Sequence, residues 1–254
     1  METMNWFAAV LALPFALAIG SFLNVVAARL PRGESLTRPG SHCMSCEQAI
    51  AWYDNVPILS WLALRGRCRR CGAAVSWRYP ALEAIAAALI SAVVLRFGFT
   101  PQAALYAVFV AALIALAAID IEYHILPNRI VLPLFGVVYA GQIVLQPDRV
   151  LEWTLAALGA AGFLLAFALA YPAGMGMGDV KLALVLGAAL GFSVVVAMMV
   201  GVVAAGLLGV AVIARHGSAG RKVAVPLGPF LALGAVVGLF AGPELLDVYT
   251  GTWS

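Results

Sequence analysis

Charged side chains are scarce in this chain of 254 residues: Asp, Glu, Lys and Arg make up 11%, whereas hydrophobic residues make up 64%. Soluble domains are usually about 45–50% apolar, so this composition excludes an ordinary water-soluble fold. The net charge is only +3, which gives no sign of a nucleic-acid-binding surface. Histidine is also rare, and His42, His124 and His216 form no metal-ligand pattern.

The long apolar runs predict an all-α polytopic membrane protein with about eight transmembrane helices. Runs of about 17–25 apolar residues can cross the ~30 Å hydrocarbon layer. The runs that we expect to cross it once each are residues 6–28, 81–95, 102–119, 130–145, 153–171 and 226–242. An apolar block at 180–214 is too long for one crossing, so we expect two spans with a bend at residues 187–192.

The positions of Lys and Arg predict the orientation of these spans. Short cytoplasmic loops are enriched in Lys and Arg. With both termini outside, only Arg96 and Arg149 of the 15 Lys and Arg residues lie on the outer side. The predicted inside segments are 29–80, 120–129, 172–181 and 215–225, and the last of these contains Arg221 and Lys222.

The four cysteines of the chain all lie in its one sizeable non-membrane segment. They form two CxxC pairs, Cys43/Cys46 and Cys68/Cys71. Four thiolates are the ligand set of a structural zinc site, and a segment this short has little core of its own. Two disulfides or a redox pair are the alternatives. The predicted domains are a first transmembrane helix (1–31), a cytoplasmic zinc-stapled loop domain (32–79) and a multi-span domain (80–254).

Membrane contacts are expected at two further places. Residues 52–62, rich in Trp and Tyr, can pack on the CxxC pairs or lie in the membrane interface, where such residues are favoured. The nearby cations, expected to face anionic lipid, are Arg65, Arg67, Arg69 and Arg70.

Near the end of the first span, Asn24 shares a helical face with Gly20 and Ser21, which is typical of helix packing, although Asn24 could instead face a substrate.

Two carboxylates are expected at the same membrane face. Asp120 ends the third span, and Asp179 follows the glycine-rich stretch that begins at Gly174. Paired carboxylates share a proton, so one can activate water while the other donates to the substrate. Alternatively, both are hydrated helix-end residues or the ion or proton site of a channel or transporter. Glu122 points elsewhere on the helix and is the less favoured partner.

The glycines beside Asp179 predict a place for an extended peptide. Gly176 and Gly178 carry no side chain, so another backbone can approach closely there. Together with Lys181 and Asn24, they are the residues that we expect to border a substrate cleft. Pro226–Phe230 predicts a kinked entry to the last span that could line the same cleft.

From residue 20 to about residue 234 the chain resembles the bacterial type IV prepilin peptidases. The resemblance rests on GSFLNVV and RLP within 20–31, the two CxxC pairs, LRGRC at 64–68, RYP at 78–80, LPN at 126–128, GMGDVKL at 176–182 and GPF at 228–230. The chain departs from the family pattern where Asp54 replaces a common glutamate and Leu227 a usual phenylalanine. A proline often found between the first two cysteines is also missing. Presenilin-like and preflagellin-type enzymes share the two aspartates but look different at the tetracysteine loop.

The resemblance implies an aspartic peptidase of the GxGD type, with Asp120 and Asp179 as its catalytic pair. Such an enzyme cuts the basic leader from prepilins and pseudopilins of type IV pili and type II secretion, at the cytoplasmic face of the bacterial inner membrane. It also implies methylation of the new amino terminus with S-adenosylmethionine as donor. The sequence itself shows no Rossmann-type glycine pattern that would locate this donor.

Overall fold

The computed structural model describes residues 2–171, 175–217 and 226–251. Its described residues are almost entirely helical, in the order α1 (Glu2–Arg29), α2 (Leu59–Ala63), α3 (Arg78–Phe97), α4 (Pro101–Tyr123), α5 (Asn128–Leu145), α6 (Val150–Ala170), α7 (Met177–Leu190), α8 (Val194–His216) and α9 (Gly228–Gly251). Short 3₁₀ turns cover Leu30–Arg32, Trp52–Asn55, Pro147–Arg149 and Gly191–Ser193. Gly174, Arg221 and Lys222, which the sequence assigned to the glycine-rich stretch and the last inside loop, lie outside the described residues.

Seven helical stretches among the described residues are long and apolar enough to cross a membrane, where the sequence predicted eight spans. The difference lies in residues 177–216, a 40-residue stretch that contains both α7 and α8. The 14 residues of α7 measure about 21 Å at 1.5 Å per residue, less than the ~30 Å layer. The predicted bend is confirmed, because α7 ends at Leu190 and Gly191 adopts φ +57°.

The chain forms two compact units, residues 1–115 and 116–254. In the first unit α1 packs along α3. The missing side chain of Gly20 permits this contact, since a Cβ there would lie 2.8 Å from the Cα of Glu83. Residues between α1 and α3 form the tetracysteine segment, which holds α2, the 3₁₀ turns at Leu30–Arg32 and Trp52–Asn55, and two isolated antiparallel bridges, His42 with Ala49 and Arg67 with Ala74.

In the second unit α7 is the most buried helix. Six of its residues are fully buried: Leu182, Ala183, Val185, Leu186, Ala188 and Ala189. It packs along α6 and also contacts α5, while α8 packs along α9. Gly187 lies against the backbone of Ala156 and Ala157 in α6, leaving no space for a Cβ. A helix that is apolar on all sides is therefore held centrally by neighbouring helices, and its first turn carries Asp179.

Candidate functional site

The four cysteines form a cluster in the first unit. Their sulfur atoms all lie within 4.8 Å of one another, and the Sγ atoms of Cys43 and Cys71 are 3.7 Å apart. Four Zn–S bonds of about 2.3 Å in a tetrahedron place sulfurs about 3.8 Å apart, so the donor set fits a metal ion. All four cysteines are free, which disagrees with the disulfide alternative.

Two similar backbone turns position these thiols. The N–H of Cys43 donates to the carbonyl of Gln48 (3.0 Å), and the N–H of Cys68 donates to the carbonyl of Ala73 (2.8 Å). The residue after each second cysteine has positive φ, +57° at Glu47 and +72° at Gly72. Each CxxC pair is thus held by the same kind of tight turn, and the two turns face each other.

Backbone donors prepare the first cysteine of each pair for metal binding. The N–H groups of Ser45 and Cys46 lower the pKa of the Cys43 thiol to about 6. For Cys68, the backbone N–H groups of Cys71 and Arg70 lower the pKa in the same way. Because thiolates are the metal-binding form, these turns favour a bound cation.

An ion pair between Arg69 and Asp54 lies beside the four cysteines. The guanidinium of Arg69 donates to both carboxylate oxygens of Asp54, with Nη2–Oδ1 at 2.7 Å and Nε–Oδ2 at 2.8 Å. Through these hydrogen bonds, Arg69 holds the pKa of Asp54 below its usual value of 3.8. The Arg69 guanidinium also lies over the ring of Tyr53, 5.7 Å from its centre. Arg69 is thus paired within its own segment, but its side chain remains 56% exposed, and its contact with lipid stays a prediction.

Asn24 makes a contact between the helices of the first unit. Its side chain is buried and its Nδ2 donates to the backbone carbonyl of Tyr79 at 3.1 Å. This hydrogen bond joins α1 to the first turn of α3, which agrees with the helix-packing interpretation.

Asp120 lies in the last turn of α4 and is only 5% exposed. Its Oδ2 accepts a hydrogen bond of 3.0 Å from the N–H of Gly228, the first residue of α9. A Cβ at Gly228 would lie 2.7 Å from this oxygen, so the absence of a side chain allows the contact. The amino-terminal end of α9 therefore supports a carboxylate in an otherwise apolar setting. Glu122, by contrast, is exposed.

Asp179 lies at the start of α7, two residues after Met177. Its side chain is partly buried, and its backbone N–H donates to the carbonyl of Gly176 at 3.1 Å. A Cβ on Gly176 would lie 3.6 Å from Asp179 Oδ2. The carboxylate thus has a glycine without a side chain on one flank and the amino-terminal end of a buried helix on the other.

Leu126 connects the surroundings of the two aspartates. It lies 3.0 Å from the position of a Cβ on Gly178 and 3.3 Å from that of a Cβ on Gly228. Gly178 precedes Asp179, and Gly228 is hydrogen-bonded to Asp120. The carboxylates of Asp120 and Asp179 are close enough for their charges to interact. The two predicted residues therefore come together within the second unit.

Lys181 joins two helix beginnings beside this pair. Its Nζ donates to the Oδ1 of Asn128 at 3.0 Å, so that the amino-terminal part of α7 is tied to the first residue of α5. Leu126 had no assigned role from the residues alone, whereas Gly228 lies in the segment 226–230 that was expected to line the cleft. The local signal for Gly228 was its place before Pro229, because a Gly-Pro pair is typical of a helix start.

The fold and these two sites define a class of protein: a multi-pass helical membrane protein with a four-thiol site in one unit and a pair of buried or partly buried aspartates in the other. Two family descriptions match the chain. Bacterial Peptidase A24 N-terminal domain matches residues 15–97, and Type IV leader peptidase family matches residues 107–214.

Curated relatives cover nearly the whole chain. A prepilin leader peptidase/N-methyltransferase of Bacillus subtilis is 32% identical over 92% of this chain and 95% of its own length. A protein of the same description from Stutzerimonas stutzeri is 32% identical over 94% of this chain and 92% of its own length. One from Myxococcus xanthus is 46% identical over 49% of this chain and 37% of its own length. The chain belongs to the type IV leader peptidase family. No solved structure gives a significant match.

Proposed function

We propose that this protein is a membrane aspartic endopeptidase that removes the leader peptide of prepilins and pseudopilins and then N-methylates the new amino terminus. The observation that carries the proposal is the convergence of Asp120 and Asp179 around Leu126, in a chain of the type IV leader peptidase family. Both activities are in the names of the relatives in Bacillus subtilis and Stutzerimonas stutzeri.

In the proposed reaction the two carboxyl groups share one proton. The anionic carboxylate takes a proton from water while the water oxygen bonds to the carbonyl carbon of the leader junction. The protonated carboxyl gives its proton to the carbonyl oxygen. Collapse of this intermediate breaks the C–N bond: the leaving nitrogen takes up the proton held by the pair, and one hydroxyl of the intermediate returns its proton to the pair as the carbonyl re-forms. The N–H of Gly228 holds the Asp120 carboxylate in place throughout.

The glycines beside Asp179 are proposed to receive the extended leader junction. Gly176 is exposed, and it has no side chain between solvent and the Asp179 carboxylate. Lys181 supports this edge of the cleft through Asn128. Asn24, hydrogen-bonded to Tyr79, is proposed to act in helix packing.

We propose zinc as the metal of the four-thiol site, with Cys43, Cys46, Cys68 and Cys71 as ligands. Four thiolates with no open position are typical of a structural site, in which zinc stabilises the fold of a small segment. S-adenosylmethionine is the proposed methyl donor, from the methyltransferase name of the relatives. No residue is assigned to its binding.

The orientation proposed from the charge distribution places the tetracysteine segment and the aspartates on the cytoplasmic side of the bacterial inner membrane, with both termini outside. Lys and Arg are concentrated in the segments that this orientation keeps inside. Family membership weighs against a channel or transporter.

The decisive experiment uses membranes that contain the full chain, a prepilin substrate and a labelled methyl donor. Asp120→Asn and Asp179→Asn should each reduce leader cleavage by about 10³-fold or more, because neither proton carrier can be replaced. Glu122→Gln, a change of the exposed acid two residues after Asp120, should cleave normally. Cleavage by both Asp→Asn variants at the normal rate would refute the mechanism, and transfer of label would test methylation separately.

A further inference from the structure

The tetracysteine segment exposes large apolar side chains that the proposed reaction does not use. Trp52 is 83% exposed, Leu59 65% and Leu62 58%. Trp77, immediately before α3, is 73% exposed. Exposed apolar surface of this kind in a small segment marks a surface that binds something else.

A buried carboxylate fixes the depth of this surface along the spans of the first unit. Glu83 is 7% exposed, and its Oε2 accepts a hydrogen bond of 2.8 Å from the backbone N–H of Ile58. Glu83 lies five residues after Arg78, which is about 7.5 Å into α3 at 1.5 Å per residue. Because helical side chains lean toward the amino terminus, Ile58, which immediately precedes α2, is held beside the first two turns of α3, a membrane-spanning helix.

The neighbouring span supports the same depth. Gly20 of α1 lies against the backbone of Glu83, where a Cβ on it would approach Glu83 Cα to 2.8 Å. Gly20 is nine residues before Arg29, the end of α1, which corresponds to about 13 Å. Glu83, to which the residue before α2 is hydrogen-bonded, thus lies inside the packed length of both spans.

The packing of α2 determines which side it leaves open. The indole Nε1 of Trp61 donates to the carbonyl of Val75 at 3.0 Å, and its ring covers Gly66. Trp61 thereby holds α2 on its own segment, while Leu59 and Leu62 stay exposed. Ile58 has φ +60°, which is rare for a β-branched residue and places its N–H toward Glu83.

The charges around α2 match an anionic membrane surface. Arg65, Arg67 and Arg70 are exposed and lie within eight residues of Leu62. Trp side chains favour the headgroup level of a bilayer, and cations next to them favour anionic lipid.

We infer that Leu59, Leu62, Trp52 and Trp77 form a lipid-binding surface, held at membrane depth by the Glu83–Ile58 hydrogen bond. Leu59 and Leu62 enter the boundary between headgroups and acyl chains, and the indoles lie among the headgroups. Arg65, Arg67 and Arg70 contact lipid phosphate. The occupant is the anionic bilayer that the spans of the chain cross, so the four-thiol site is docked on the membrane.

Photocrosslinking of the full chain in vesicles tests this inference. The vesicles contain phosphatidylethanolamine and phosphatidylglycerol, and benzoylphenylalanine replaces Leu59 or Leu62. Phe163, exposed in the membrane span α6, is the positive control position, and Met44, 73% exposed in the first CxxC pair, is the negative one. Mass spectrometry should find lipid adducts at positions 59, 62 and 163, with yields at least about 10-fold above position 44. Yields at 59 and 62 equal to that at 44, or adducts to an added prepilin instead of lipid, would overturn the inference.

The role of Glu83 is tested with the probe at position 62. Glu83→Ala removes the acceptor for Ile58 N–H, so the lipid adduct should decrease several-fold. Glu83→Gln keeps a carbonyl oxygen at the same place and should keep the yield. Equal zinc content in both variants shows that the segment remains folded, and an unchanged yield in Glu83→Ala would contradict the proposed role of Glu83.

Discussion

The four-thiol site and the paired-aspartate site are built in opposite ways. The thiols come from one short segment, where two similar turns bring them together in pairs. The aspartates come from two helix ends far apart in sequence, and the main chain of a third helix supports one of them. A metal ion can stabilise the first arrangement, whereas the second depends on close packing of helices.

This difference predicts that a substitution at one site leaves the other site intact. The helices that pack on α7, α5 and α6 among them, lie in the second unit. The four thiols that could hold a metal ion, in turn, all lie in the first unit. Variants at each site therefore separate metal content from peptidase activity, and the following changes are arranged by expected effect.

Of these changes, Gly228→Ala should have the largest effect, a loss of leader cleavage without a loss of zinc. Its new Cβ would lie 2.7 Å from Asp120 Oδ2, so the carboxylate must rotate and lose its hydrogen bond to the N–H. Displacement of a catalytic group by about 1 Å can cost about 10²-fold, and we expect leader cleavage to decrease by that amount. Rates of cleavage in membranes measure it.

A matched control is Gly206→Ala in α8, where no atom lies within 4 Å of the new Cβ. It should cleave at the normal rate, and both variants should keep their zinc. Normal cleavage by Gly228→Ala would show that the Asp120 carboxylate does not depend on this backbone contact.

Cys68→Ser should act on the other site. Removing one of four thiolates should weaken zinc binding by about 100-fold, since loss of even an outer partner of a metal site costs 10- to 100-fold. Metal content after dialysis against a chelator measures this loss. Ser45→Ala keeps the backbone N–H that donates a hydrogen bond to the Cys43 sulfur, so this variant should retain zinc. Equal retention by Cys68→Ser would contradict a four-thiolate site.

The sequence predicts helices better than it predicts contacts between them. Apolar runs located the spans, and the glycines at 187 and 191 located the break between α7 and α8. Helix ends were less accurate: Asp120 was expected at the end of the third span, whereas α4 continues beyond it to Tyr123. Ends depend on capping and tertiary contacts, which apolar composition does not encode.

The sequence also predicted which side chains form each site better than it predicted the hydrogen-bond partners of those side chains. Four cysteines in two CxxC pairs can be combined in few ways, so their spacing alone predicted that the four thiols cluster. The donor to Asp120 is a backbone N–H more than 100 residues away, and any residue except proline has one. The same holds for Ile58 and Glu83, whose contact depends on the unusual φ of Ile58.

Gly191→Ala should destabilise the second unit without touching either site. Gly191 has φ +57°, and a Cβ there would collide with the carboxylate of Glu152 and lie 2.8 Å from Trp153. Strain and overpacking of this kind cost roughly 1–3 kcal/mol. Unfolding in detergent should show the loss. Gly209→Ala in α8, which meets no atom within 4 Å, should be at least as stable as the unmodified chain, because alanine favours a helix more than glycine does. Equal stability of the two variants would mean that the break between α7 and α8 tolerates a side chain.

Asp54→Asn should have the smallest effect. The ion pair with Arg69 is bidentate, but the Arg69 side chain is 56% exposed, and solvent screens such pairs. Zinc retention and leader cleavage should each change by less than about 3-fold. Because Arg69 lowers the pKa of Asp54, the pair stays charged from pH 5 to 8 and is lost only as the pH falls through that lowered value. The small difference between Asp54→Asn and the unmodified chain should therefore be constant over pH 5–8, and a difference that changes across this range would show that another group controls it.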